Sequence, residues 1–304
     1  MTPRFRHAAS LAALVVLISA CGTGPAPTPS AAPSSSASAV SFLPVQITTA
    51  FAVGDNRVVF TLTDPQGQKQ IATPDRTLSI GYQGPNGATI ASAPQTFVWA
   101  IEGVNGVYVG HANFPIAGQW TADFVSTAAG GPQEQLSFSF DVRDHLDIIG
   151  PGDAAPSIKT PTLSDVGGEV AKISSDPKPD PDFYKTSEAD ALAAKKPFVL
   201  IFATPKFCTS ATCGPTLDKL KPVAAAHPEM TFINVEPYQL TFADGSLQPV
   251  LDAQGNLVPN DATNAFKLQT EPYLFVVGSD GIVKASFELV FSPDEIESAI
   301  KAVE

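Results

Sequence analysis

Phe198-Val199-Leu200-Ile201-Phe202-Ala203-Thr204-Pro205-Lys206-Phe207-Cys208-Thr209-Ser210-Ala211-Thr212-Cys213-Gly214-Pro215 is the stretch on which the reading of this 304-residue chain turns. It opens on an unbroken apolar run, the pattern of a strand buried on both faces. Two cysteines with four residues between them follow at once. From Gly214 to Ala226 the apolar residues fall at Leu217, Leu220 and Val223-Ala224, the spacing of a helix with one buried face. The cysteine pair therefore stands between a buried strand and the start of a helix.

Reading outward, Thr186 to Lys195 is expected to be a helix capped by Ser187, and Thr231-Phe232-Ile233-Asn234-Val235 a second buried strand. Asn260 to Leu268 reads as a short helix. Tyr273 to Val277 and Ile282 to Phe287 read as strands joined by the turn Gly278-Ser279-Asp280-Gly281. Ser292-Pro293-Asp294-Glu295 starts a last helix with a cap, a proline at the first position and two acids at the positive dipole end.

This order resembles the thioredoxin family, as do the strand ending in Phe202 to Cys208, the segment Pro215-Thr216-Leu217-Asp218-Lys219-Leu220 and the run Thr270-Glu271-Pro272-Tyr273-Leu274-Phe275. The resemblance implies an α/β thioredoxin-like fold over residues 183–304. It also implies that Pro272 is a cis-proline packed beside the active sulfur. The chain departs from the family in spacing, with four residues rather than two between Cys208 and Cys213. Two registers follow. Either Cys208 is the attacking cysteine and Cys213 resolves it, or Cys213-Gly214-Pro215 overlays the family's Cys-Gly-Pro with Thr216 at the resolving position. The first is preferred, because Cys208 directly follows the strand.

Several chemistries suit the pair. As a redox couple it exchanges disulfides with exported proteins; as a structural disulfide it staples a loop of a binding scaffold. Two thiolates also suit Cu(I), but copper-chaperone relatives add a distal histidine and none follows His227. A peroxidase pattern beginning at Pro205 would need its cysteine where Thr212 stands. No cofactor and no metal are expected. Glu236 and Glu271 are candidates to tune the cysteines, His227 to cap a helix end. The segment Glu236 to Pro259 reads as a decorated loop or a substrate-facing flap.

Upstream, residues 42–143 alternate like a sheet, as in Arg57 to Leu62, Thr77 to Tyr82, Gly106 to Gly110, Gln119 to Phe124 and Leu136 to Phe140. Turn signals separate these runs, giving an all-β sandwich. The stretch Gly106 to Trp120 resembles the last hairpin of immunoglobulin-like modules. His111 is read as a rim or core residue, and Trp99 and Trp120 as core in preference to a ligand platform. Residues 144–182, rich in Pro, Gly and Asp, are expected to be a stiff linker.

The first twenty residues carry Arg4, Arg6 and a short apolar run from Ala12 to Ile18, as an export signal does. Ile18-Ser19-Ala20-Cys21 resembles the lipobox of bacterial lipoproteins, which implies cleavage before Cys21 and its acylation. Residues 21–41 are poor in charge and bulk and read as a tether. The implied protein is anchored in the lipid bilayer through Cys21 and faces the extracytoplasmic side, where disulfides form.

Charge agrees with such a placement. The formal net charge is −12, and −14 without the first twenty residues, which repels phosphate backbones and excludes nucleic acid as the expected partner. Exported protein thiols or disulfides are the partners expected. The function expected is therefore a membrane-anchored thiol–disulfide oxidoreductase; the alternative is a non-enzymatic scaffold lipoprotein with a structural disulfide.

Overall fold

Nine strands, most of them alternating large apolar and polar residues, fill about the first hundred residues that the computed structural model describes, which are 40–304 of the chain. They are β1 (Leu43–Gln46), β2 (Phe51–Ala52), β3 (Gly54–Thr63), β4 (Thr77–Gln83), β5 (Thr89–Pro94), β6 (Thr96–Ile101), β7 (Asn105–Phe114), β8 (Gly118–Thr127) and β9 (Gln133–Arg143). The expected signal peptide, Cys21 and nearly all of the expected tether lie outside the described residues. Two sheets form, in the orders β1-β3-β7-β6 and β2-β9-β8-β4-β5. All pairings are antiparallel except β2 with β9. The result is a β-rich, immunoglobulin-like sandwich.

Its core is aromatic: Phe42, Phe51, Phe60, Phe114, Phe124, Tyr108 and Trp120 are almost wholly enclosed. Trp120 is therefore core, with its indole N–H satisfied by the Ile116 carbonyl at 3.0 Å. Gly84 has to be glycine because a Cβ there would enter the Trp120 ring. His111 is an exposed rim residue of β7, 3.7 Å from Asp55.

One face of the first sheet carries a second apolar stripe, Val59, Val98, Val107 and Val109, and the later segment Leu289-Val290 packs on it. This explains why β3 is buried without alternation from Val58 to Thr63. Arg57 strengthens the same contact. It meets both carboxylate oxygens of Glu295 at 2.7 and 3.1 Å, donates to the Val290 carbonyl at 2.8 Å and lies over the Phe287 ring.

Residues 144–182 pack as well as connect. Gly152 and Ala155 donate to Val283 and Gly281, Val283 donates back to Asp153, and Ile148, Ile149 and Ile158 join the downstream core. Three 3-10 turns, at Leu163–Val166, Val170–Lys172 and Pro181–Tyr184, fold the rest back. Proline fixes φ in this segment but leaves it free to turn, so a Pro-rich composition did not dictate a rod.

The remaining elements are α1 (Glu188–Ala194), β10 (Phe198–Phe202), α2 (Cys213–Ala226), β11 (Thr231–Val235), β12 (Leu240–Ala243), β13 (Ser246–Pro249), α3 (Asp261–Ala265), β14 (Tyr273–Val277), β15 (Val283–Glu288) and α4 (Pro293–Lys301). The apolar run makes β10 the partner of β11 in parallel and of β14 antiparallel, within a sheet ordered β11-β10-β14-β15. Leu217, Leu220, Ile296 and Ile300 cover one face of it and Ala191, Ala262 and Phe266 the other.

The expected α/β thioredoxin-like C-terminal domain is corrected by the strand content. Fifteen strands stand against four helices among the described residues. Left-handed residues curtail the helices. Lys195 at φ 54° ends α1 after seven residues, and α3 stops at five, with Lys267 at φ 57° just beyond it. Residues 236–259 contribute a hairpin, β12 with β13, turned at Asp244-Gly245.

Candidate functional site

The cysteine pair lies where β10 gives way to α2. Cys213 is the first residue of α2 and is fully buried, whereas Cys208 is half-buried; both are free thiols. The connecting turn closes because Ala211 adopts a left-handed backbone, φ 60°. That reversal brings Cys208 back over the helix start, and the Cys213 amide donates to Cys208 Sγ at 3.3 Å. Cys208 thereby caps the positive end of α2 with its sulfur.

The surrounding groups sort the two thiols. A hydrogen bond from the Cys213 thiol brings the Cys208 thiol down to about 6, assisted by the Ser210 hydroxyl and the Cys213 amide. Burial and the Glu271 carboxylate oppose that shift. Burial pushes the Cys213 thiol far up, and the Cys208 sulfur adds to it. One sulfur is thus an accessible thiolate at neutral pH and the other a protonated reserve behind it. Cys208 Sγ, Cys213 Sγ and a Glu271 oxygen lie within 4.8 Å of one another.

Glu271, 4% exposed, is the hub of the loop. Its Oε1 accepts from the Thr209 amide and hydroxyl, each at 2.8 Å, and its Oε2 from the Tyr238 hydroxyl at 2.7 Å. Its carbonyl accepts from Ser210 Oγ at 2.9 Å. Cys208 Sγ, Cys213 Sγ and a Glu271 oxygen are the atoms a soft cation would meet, but both carboxylate oxygens already have partners. The Glu271–Pro272 peptide bond is cis, and Pro272 is buried with its carbonyl bonded to Leu289.

Glu236 directly follows β11 inside a separate polar cluster. Its Oε1 accepts from the Ser175 amide at 2.6 Å, its Oε2 has no hydrogen-bond partner, and burial lifts its carboxyl to about 7. Asn234, Tyr184 and Ser174 continue this cluster through bonds of 2.8 and 2.7 Å. His227 closes the end of α2, its ring between Glu297 at 2.8 Å and Glu304 at 3.1 Å, and these acids raise its pKa. The segment 236–259 borders the site twice, through Tyr238 and through the Leu247 carbonyl, which accepts from Lys206 at 2.8 Å.

Sequence reasoning named the two cysteines, Pro272, Glu236 and Glu271, but missed Tyr238, Thr209 and Ser210. Tyr238 follows the buried strand β11 as Cys208 follows β10, and that parallel was the available signal.

No family model matches the chain, and no curated protein matches it. Among solved structures it is similar to a DUF4426 family protein from Pseudomonas aeruginosa PAO1, at 13% identity and TM-score 0.24, over 31% of this chain and 77% of that one. It is also similar to the PmoD soluble domain from a Methylocystis species, at 19% identity and TM-score 0.21, over 31% and 75%. Likenesses of this size carry no argument about activity. No comparison supports the membership in the thioredoxin family expected from residues 183–304; with fifteen strands against four helices among the described residues that expectation is corrected, and no role assigned below derives from it.

Proposed function

We propose that this chain is a thiol–disulfide exchange protein acting on exported proteins through Cys208 and Cys213. The observation that carries the reading is the division of labour between the sulfurs: Cys208, half-buried and lowered to about 6, in front of Cys213, buried and strongly raised. The Cys208 thiolate attacks one sulfur of a substrate disulfide. That S–S bond breaks, the departing sulfur takes a proton, and a Cys208–substrate mixed disulfide remains. Cys213 then loses its proton and attacks Cys208 Sγ, releasing the second substrate thiol. Two electrons pass to the substrate, and the chain keeps a Cys208–Cys213 disulfide. Run in reverse, the same steps oxidise a dithiol.

Anchoring through an acylated Cys21, outside the cytoplasm, belongs to this proposal. It rests on the lipobox-like run Ile18-Ser19-Ala20-Cys21, and a compartment outside the cytoplasm is where substrate disulfides form and persist. A second reading, a scaffold stapled by a structural disulfide, is favoured by the complete burial of Cys213. The reduction potential of the pair, measured in glutathione buffers with Cys208→Ser as control, separates the two. Exchange predicts about −120 to −270 mV, the span of known exchange proteins. A value below about −300 mV, with a large loss of stability on reduction, would leave the scaffold.

A further inference from the structure

Glu271 poses an electrostatic problem. A carboxylate within 4.8 Å of the reactive sulfur repels a thiolate and works against the lowered Cys208 pKa. It is also 4% exposed, and an uncompensated charge at that depth is costly. Yet every hydrogen bond it makes points to geometry. Thr209 is fixed to it by both amide and hydroxyl, Ser210 is fixed to its carbonyl, and Ser210 Oγ lies 3.3 Å from Cys208 Sγ. The Tyr238 hydroxyl, arriving from the segment after β11, holds the other carboxylate oxygen. The turn it pins also contains Ala211, in the left-handed conformation that non-glycine residues avoid, so the turn needs external fastening.

We infer that Glu271 is the positioning residue of the site: its carboxylate pins the Cys208–Cys213 turn so that Cys208 Sγ rests on the first amide of α2, with Tyr238 as its latch. The inference rests on the exchange reading and assigns the control of that same site. Its charge and its geometry act on Cys208 with opposite signs. The charge destabilises the thiolate; the pin stabilises it by keeping the sulfur on the Cys213 amide and thiol and the Ser210 hydroxyl. The titratable groups facing Cys208 are Cys213 and Glu271, with Tyr238 behind the carboxylate.

Opposite signs make a test that a merely structural role would not pass. In the full chain, the alkylation rate of Cys208 is followed against pH for the native protein, Glu271→Gln and Glu271→Ala. Glu271→Gln keeps an acceptor for Thr209 and removes the charge, so the Cys208 midpoint moves to lower pH, with a roughly twofold to threefold faster rate on its acid side. Glu271→Ala frees the turn, so the midpoint rises and alkylation at neutral pH slows roughly tenfold. Should the alanine variant not fold, Thr209→Val, which removes only the hydroxyl donor, is expected to shift the midpoint in the same direction by less. Tyr238→Phe is expected to follow it. Equal shifts for Gln and Ala, or none for Thr209→Val, would overturn the inference. If native Cys208 instead forms no mixed disulfide with oxidised glutathione, it is the exchange reading that fails.

Discussion

Among single residues, the most consequential is the one the chemistry leaves idle. Glu236 is enclosed with one oxygen unpartnered, and its carboxyl is raised to about 7 while the unfolded chain titrates near about 4.3. The native state therefore binds the proton more tightly. The stability that this contributes is complete below the unfolded value and is lost as pH climbs to the folded one. The loss is at most about 4 kcal/mol by linkage. Glu236→Gln should raise the thermal midpoint at alkaline pH and flatten the decline seen in the native protein, and identical slopes for both would refute the assignment. Glu188, also raised to about 7 by burial, leaves a residual slope in the variant. Of these features the sequence disclosed only that an acid follows a buried strand. That Glu236 Oε1 is held by the Ser175 amide, 61 residues earlier, while Oε2 stays unpartnered is set by tertiary packing that no local pattern encodes.

For elements, legibility followed periodicity. β3, β4, β7, β8 and β9 were expected from alternation, and β10, β11 and β14 from continuous apolar runs, because each pattern reports which faces are covered. β5 and β6 went unread: one is largely exposed and the other carries Trp99 in a run without clean alternation. The 3-10 turns of 144–182 have no period to detect, so a packed segment read as a linker. The helices were placed within a few residues by their caps, as with Ser292, whose hydroxyl accepts from Glu295 while the Glu295 carboxylate accepts from the Ser292 amide. The strained turn before α2 had no signature in the sequence, since alanine gives no hint of a left-handed backbone. Ala211→Gly should relieve it and stabilise the chain by about 1 kcal/mol in urea unfolding at unchanged m. A loss of stability there would contradict the turn conformation.

Across the molecule, the sandwich and the cysteine-bearing body share one apolar contact, and Arg57 with Glu295 is its polar anchor at 11% and 23% side-chain exposure. Removing one member of a mostly buried pair strands the other, at a cost of about 3 kcal/mol. Arg57→Ala should lower the thermal midpoint and split a single calorimetric transition into two; one unchanged transition would show that the bodies are not coupled there. The coupling reaches the site, because Glu288 accepts from Thr49 of the sandwich side and from Thr270, the neighbour of Glu271. A sequence read as two bodies on a spacer could not disclose this, since its contacts join residues more than two hundred positions apart. The central claim is nevertheless local, that Cys208 attacks and Cys213 resolves. It is tested most directly by mass spectrometry of the reduced full chain mixed with oxidised glutathione at a series of pH values. The predicted result is a glutathione adduct on Cys208 that collapses to the Cys208–Cys213 disulfide in the native chain and accumulates in Cys213→Ser. Its rate of formation in the native chain should be half-maximal near pH 6, where the Cys208 thiol is placed. An adduct confined to Cys213, or no adduct until the chain unfolds, would contradict the account.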